Sequence, residues 1–267
     1  MSQNKTVLIA KNLSDILYHI KSVSNLSIVG SCTQLKEIPE KSVTTRNVSE
    51  LCLIEKKERY IDIGAGASIS KLLELGQGRI PKILYDALHS IATETIRNVA
   101  TIGGNVCAKK QKHTLWAPLL ALNSLVEIKT PTETKMIPIS KFDVNQEKFI
   151  LTKIRVPLNE FEVEQFRKIG PSKSISHLSA SYVFLVDTQR DIIANIKIVY
   201  AGKVVFHSPE LENKIVGSRL PLSEKLLDTL IEDAKEIFKE KEAQTGTPKI
   251  LRSQFLNLLR NSLEQLM

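Results

Sequence analysis

Thr101-Ile102-Gly103-Gly104-Asn105 places a hydroxyl, two adjacent glycines and a side-chain amide within five residues. Paired glycines let a backbone approach a ligand closely and offer consecutive N–H donors, and a diphosphate needs many donors around several oxygens. Gly-Gly-Asn taken alone is equally a tight turn. The spacing is neither that of a G-x-G-x-x-G dinucleotide fingerprint nor that of a P-loop, so a Rossmann reading has no support. A second candidate lies upstream, where Leu26-Ser27-Ile28-Val29 reads as a short buried strand emptying into Gly30-Ser31-Cys32-Thr33, a common seat for phosphate. Cys32, Cys52 and Cys107 form no CxxC and have no nearby histidine pair, so a metal site within this chain is not expected.

The elements that would hold these segments can be read from periodicity. Leu13, Ile16, Leu17, Ile20 and Val23 fall on one helical face, with Asn12 as cap and Asp15 in the first turn. Tyr60-Ile61-Asp62-Ile63 is a short strand ended by Gly64-Ala65-Gly66, after which Ser68 caps a helix. Helical spacing returns over residues 82 to 92 and again from Trp116 to Leu122. Val126–Lys129 and Met136–Ile139 alternate and suit an antiparallel pair around Pro131. Beyond a polar stretch from Asn159 to Glu164 the pattern is a separate α+β unit. It has strands near 179–187 and 192–200, a helix from about Ser223 to Glu240, and a last helix in which Thr247 caps and Pro248 takes the first position.

The chain has 267 residues, 42% hydrophobic and 25% charged, which is ordinary globular usage. No apolar run is long enough to span a bilayer, and the opening MSQNKTVLIAKNL lacks the order of a secretory signal, so no membrane partner and a cytoplasmic location are expected. The net charge of +8 comes from lysines scattered among glutamates along most of the chain, without interleaved aromatics, which argues against nucleic-acid binding.

The segment TIRNVATIGGNV closely resembles the signature of the FAD-binding domain of molybdopterin dehydrogenases, the family of the flavin subunits of xanthine, carbon monoxide and nicotinate dehydrogenases. YIDIGAGASISKLLE, APLLALNSLVEIK, FILTKIRVP, FRKIGPSKSI and SPELENKIVGSRL resemble other segments of the family in order, so the likeness covers essentially the whole chain. It implies a PCMH-type α+β fold. Residues 1–162 would be the FAD-binding domain, with α/β subdomains at about 1–58 and 59–162, and residues 163–267 a C-terminal α+β domain with a small antiparallel sheet and helices.

What the resemblance implies for the site can be carried over by position. The family's first diphosphate loop, usually Ala-Gly-Gly-Thr, an acidic residue and leucine, is represented by Val29 to Leu35 with one extra residue; Gly30, Thr33 and Leu35 match, whereas Ser31, Cys32 and Gln34 depart. The second loop, Thr101, Ile102, Gly103, Gly104 and Asn105, matches unchanged. Beyond it the family's Asn-Ala-Ser-Pro and ribityl-binding aspartate are replaced by Ala108-Lys109-Lys110-Gln111-Lys112-His113-Thr114, which puts Thr114 at the aspartate position. The new charges can face the diphosphate, an acidic partner surface or water. Leu151 corresponds to a contact on the apolar side of the flavin ring, or is simply a core strand residue. Lys168 corresponds to a cation near the ring's polar edge, where it would favour the anionic reduced form.

The resemblance implies an oxidoreductase subunit that takes electrons from the [2Fe–2S] clusters of one partner, with hydroxylation at the molybdopterin of another, and passes them to NAD+ or a different acceptor. No catalytic acid or base is expected in this chain. The rival expectation is an assembly subunit of such a complex that binds FAD weakly or not at all.

Overall fold

The computed structural model describes residues 5–146 and 148–267; residues 1–4, where the segment read for a secretory signal begins, lie outside the described residues. In chain order its elements are β1 (Thr6–Ile9), α1 (Leu13–Ser22), β2 (Ser27–Val29), β3 (Lys41–Thr44), β4 (Ile54–Lys56), β5 (Tyr60–Gly64) and α2 (Ile69–Leu73). Then come α3 (Lys82–His89), α4 (Glu94–Arg97), α5 (Ile102–Val106), α6 (Trp116–Ala121), β6 (Leu125–Lys129), β7 (Thr134–Pro138) and β8 (Ile150–Pro157). The chain ends with β9 (Val163–Ile169), β10 (Ala180–Gln189), β11 (Ile192–Ala201), β12 (Val205–His207), α7 (Pro209–Ile215), α8 (Glu224–Thr245) and α9 (Lys249–Glu264). Among the described residues, no helix is long and apolar enough to cross a membrane.

Two compact units arise, and both are built from separated stretches of chain. The first comprises residues 1–80, 92–109 and 122–158; the second comprises 81–91, 110–121 and 159–267. Within the second unit, α3 and α6 pack with the C-terminal sheet.

In the first unit, β1, β3 and β2 form a parallel sheet in that order. The Asn12 side chain accepts the Asp15 N–H at 2.9 Å and starts α1 as its sequence predicts. Ile16 and Ile20 then pack with Val43, Val48 and Leu51, and with Leu8 and Ile28, so that one face of the sheet is covered. A second sheet runs β4-β5-β8-β6-β7 and is antiparallel throughout. Across its centre Asp62 and Arg155 are register partners joined by two hydrogen bonds of 2.7 and 2.8 Å. The Arg155 guanidinium beside Asp62 holds its carboxyl below the usual carboxylate range, against the opposing effect of burial.

In the second unit, the antiparallel sheet β12-β11-β10-β9 carries α8 and α9. Tyr182 and Tyr200, register partners on β10 and β11, meet Phe206, Phe238 and Phe255 in a cluster whose rings are fully buried. Phe255 is central, with ring centroids 4.5 Å from Phe206, 5.1 Å from Phe238 and 5.6 Å from Tyr200. At the start of α9 the structure departs from expectation: Pro248 itself takes the cap position without a side-chain bond, and the Thr247 hydroxyl pairs with that of Thr245 at 2.7 Å.

Phe255→Ala would leave a cavity bordered by four aromatic rings. The expected cost is about 3–5 kcal/mol, read as a lower urea midpoint in equilibrium unfolding; a loss below about 1 kcal/mol would contradict this packing.

Candidate functional site

The C-terminal ends of β2 and β3 lie side by side, tied by the Thr45 N–H to the Val29 carbonyl at 2.9 Å. Chain leaving β2 enters the loop Gly30–Leu35, where the Leu35 N–H closes a turn on the Cys32 carbonyl at 3.1 Å. Cys32 adopts a left-handed backbone, φ +56°, unusual for a residue with a side chain and consistent with a loop one residue longer than the family pattern. Among the described residues, the N–H groups of Ser31, Cys32, Thr33 and Gln34 have no acceptor in the protein. Four uncommitted donors at the carboxyl edge of a parallel sheet can gather around an oxygen-rich anion.

The second expected loop is a different object. Thr101 is the N-cap of the short helix α5, and its hydroxyl accepts the Gly104 N–H at 3.0 Å. Ile102 donates to the Ala67 carbonyl at 3.1 Å, Gly103 to Ala65 at 2.9 Å, and Asn105 to Thr101 at 3.1 Å. All four amides are therefore spent inside the protein, which corrects the expectation of exposed consecutive donors. Gly103 is required for another reason: a Cβ there would lie 2.6 Å from the Ala65 carbonyl oxygen. The two loops do adjoin, since a Cβ on Gly30 would stand 3.6 Å from the Thr101 hydroxyl oxygen.

Beside the first loop runs a groove of about 330 Å³, lined by Val7, Ile9, Val29, Ile38, Thr44, Arg46 and Asn47 as well as Gly30, Ser31 and Cys32. Val7 and Ile9 are 46% and 64% exposed, so an apolar floor is on offer. Arg46 is exposed and, among the described residues, has no carboxylate partner within 4.0 Å. Apolar floor, free amides and one guanidinium suit a ligand with an aromatic base and an adjacent phosphate.

Residues 3–159 match the family described as "FAD binding domain in molybdopterin dehydrogenase". The chain belongs to this family. It is 34% identical over 103 residues to the xanthine dehydrogenase FAD-binding subunit of Escherichia coli O157:H7, covering 38% of this chain and 35% of that subunit. It is 24% identical over 202 residues to aldehyde oxidase 2 of Macaca fascicularis, 67% of this chain but 15% of the oxidase. Among solved structures, a chain of the reconstituted CO dehydrogenase of Oligotropha carboxidovorans superposes with a TM-score of 0.79 at 17% identity, covering 98% of this chain and 97% of the other. A chain of quinoline 2-oxidoreductase from Pseudomonas putida 86 gives 0.74 at 15%, with 97% and 98% covered. The fold is the α+β, PCMH-type fold that the resemblance implied, and the chain carries the FAD-binding domain of molybdopterin dehydrogenases.

The remaining expected residues of this domain are placed as follows. Leu151 lies on β8 opposite Ile128 and is 5% exposed, the position of a core strand residue rather than of an open face. In the second unit, Thr114 is buried beside His113. Lys168 gives two of its protons to backbone carbonyls, Ser90 at 2.9 Å and Ser172 at 2.7 Å, and burial pushes its pKa down. Arg46, Asn47 and the apolar groove were missed by sequence reading. The signal available was the polar run Thr45-Arg46-Asn47 directly after Lys41–Thr44, a second strand-to-loop exit like the one at Gly30.

Gly103→Ala must displace backbone and should cost roughly 1–3 kcal/mol. Gly104, where a Cβ would meet only the Thr101 hydroxyl at 3.1 Å, should accept alanine with a change of about 1 kcal/mol or less; paired thermal melts test the contrast. His113 yields a pH prediction. It is 7% exposed, its Nδ1 has no partner among the described residues, and burial lowers its pKa from 6.5 to about 4. Between those values the unfolded chain binds the proton and the folded one does not, so this contribution is complete above pH 6.5 and is lost as pH falls toward 4. The loss totals about 3 kcal/mol, and His113→Gln should flatten the pH dependence of the melting temperature across that window.

Proposed function

We propose that this chain is the FAD-binding, electron-transferring subunit of a molybdenum hydroxylase assembly. The observation that carries the reading is the set of four uncommitted amides from Ser31 to Gln34 beside an apolar groove and Arg46, in a chain of the molybdopterin dehydrogenase family. The amides would bind the diphosphate, Arg46 would add a charged donor, and Val7, Ile9 and Ile38 would receive the adenine. Thr101 and Gly104 would hold the neighbouring wall of the loop rather than supply backbone donors.

FAD, when bound, supplies the redox chemistry, linking the [2Fe–2S] clusters of a partner to NAD+ or another acceptor. The chain's own contribution is to bind and orient. The xanthine dehydrogenase FAD-binding subunit among its relatives supports this division of labour, since that relative is itself a subunit named for its flavin. Lys168, its ammonium anchored by two carbonyls, would present its remaining proton and its charge near the ring's polar edge.

The test is to purify the chain without added flavin, record the visible spectrum, and titrate the colourless fraction with FAD. One FAD per chain is expected. Arg46→Glu should weaken binding by at least about tenfold, the loss of one charge-assisted bond, while leaving the melting temperature of the flavin-free chain unchanged. A chain that stays colourless at saturating FAD, alone and with its partner subunits, would favour the assembly-subunit reading instead.

A further inference from the structure

The lysines of residues 109–112 are not used by the flavin reading, yet the loop that carries them is firmly built. In the second unit, the Gln111 side chain donates to the Ser176 carbonyl at 2.8 Å, and the Lys112 N–H donates to the Gly202 carbonyl at 2.9 Å. The Lys112 ammonium lies 3.5 Å from the centre of the Trp116 ring. The turn at Gly202 in turn sits close to Ser179 and Ala180, since a Cβ on Gly202 would be 2.8 Å from both. Three segments, 110–112, 170–179 and 201–204, therefore meet at one end of the β9–β12 sheet.

Their charge is one-sided. Residues 95–126, 165–186 and 192–209 contain no Asp or Glu at all, although the chain as a whole has 29. Lys110, Lys173, Lys203 and His177 are exposed on these segments. Among the described residues, Lys110, Lys173 and Lys203 have no carboxylate within 4.0 Å; Lys203 instead donates to the Gly246 carbonyl at 2.8 Å, at the end of α8. Glu242, the carboxylate one turn back on that helix, is engaged by Arg252 at 2.8 Å.

We propose that this ledge of Lys110, Lys112, Lys173 and Lys203 is a docking surface for an acidic face of a protein partner, and that it steers assembly with the subunit that delivers electrons. The inference rests on the proposed function and goes beyond it by naming the surface. A protein is favoured over nucleic acid because the meeting segments 110–112, 170–179 and 201–204 present no Phe, Tyr or Trp for base stacking, and Trp116 is 3% exposed beneath Lys112. Like-signed charges at an interface rim act on encounter, so their signature is in the association rate and its salt dependence.

The experiment follows association of the FAD-loaded chain with the isolated partner assembly bearing the [2Fe–2S] clusters, across a range of salt. For K110E/K173E/K203E the association rate is expected to fall about tenfold or more at low salt and to lose most of its salt dependence, with dissociation little changed. FAD affinity and melting temperature should stay at wild-type values, and K110R/K173R/K203R should keep the wild-type rate. An unchanged rate in the glutamate variant overturns this inference alone. A wild-type chain that binds FAD but joins no such assembly overturns both it and the proposed function. Binding of a DNA duplex as tight as that of the partner assembly, abolished by the same variant, overturns the assignment to a protein.

Discussion

The approach of Gly103 to the Ala65 carbonyl is the contact on which the candidate site depends. It brings α5 to the turn after β5 at a distance that no side chain would allow, and it does so with a hydrogen bond of 2.9 Å as well as van der Waals contact. Ser68, which caps α2, forms an isolated bridge with Thr101, so the same turn is gripped at two points. Thr101 is then fixed beside Gly30, and the loop after β2 has a rigid wall to lie against. The arrangement divides labour between two similar-looking segments: one spends its amides on architecture, and the other keeps four of them free.

That division explains why the departures in the first loop are compatible with anion binding. On the proposed reading backbone donors would do the binding, so Ser31, Cys32 and Gln34 could replace the family's residues as long as the N–H groups remain available. The left-handed conformation at Cys32 carries an expected cost on the order of 1 kcal/mol. Substitution in the second segment is less forgiving, because Gly103 is held by packing and not by a ligand.

Much of the fold was legible in the sequence where a stripe or an alternation was strong. The cap of α1, the β6–β7 pair, the strands β10 and β11 and the apolar stripes of α8 and α9 all follow from residue type and periodicity. What escaped has physical causes. β1 is four residues long and three of them are exposed, so no buried alternation marks it. β9 reads Val-Glu-Gln-Phe-Arg-Lys-Ile, mostly half-buried on both faces, and its polar residues merge with the preceding polar stretch. The site suffered from the same blind spot: with β1 and β3 unrecognised, the parallel sheet was invisible, and so were Arg46 and the groove at its carboxyl edge. Spacing along the chain also cannot reveal that α3 and α6 pack with residues a hundred positions away.

Electrostatics separates the two units further. In the first, opposite charges face each other across strands, Asp62 with Arg155 and Glu127 with Lys153. In the second, buried charge is treated the same way: Glu212 is 2% exposed but accepts from the Ile198 N–H and from Lys197, and so ties α7 to β11. The lysines at the end of the β9–β12 sheet follow neither pattern. Their loops are pinned by backbone bonds, which costs conformational freedom, yet no carboxylate among the described residues balances Lys110, Lys173 or Lys203. Rigid presentation of unbalanced charge does not stabilise a lone chain, since like charges held together repel. It is of use where an opposite charge arrives from elsewhere, and the order already built into the loops means that less has to be fixed when it does.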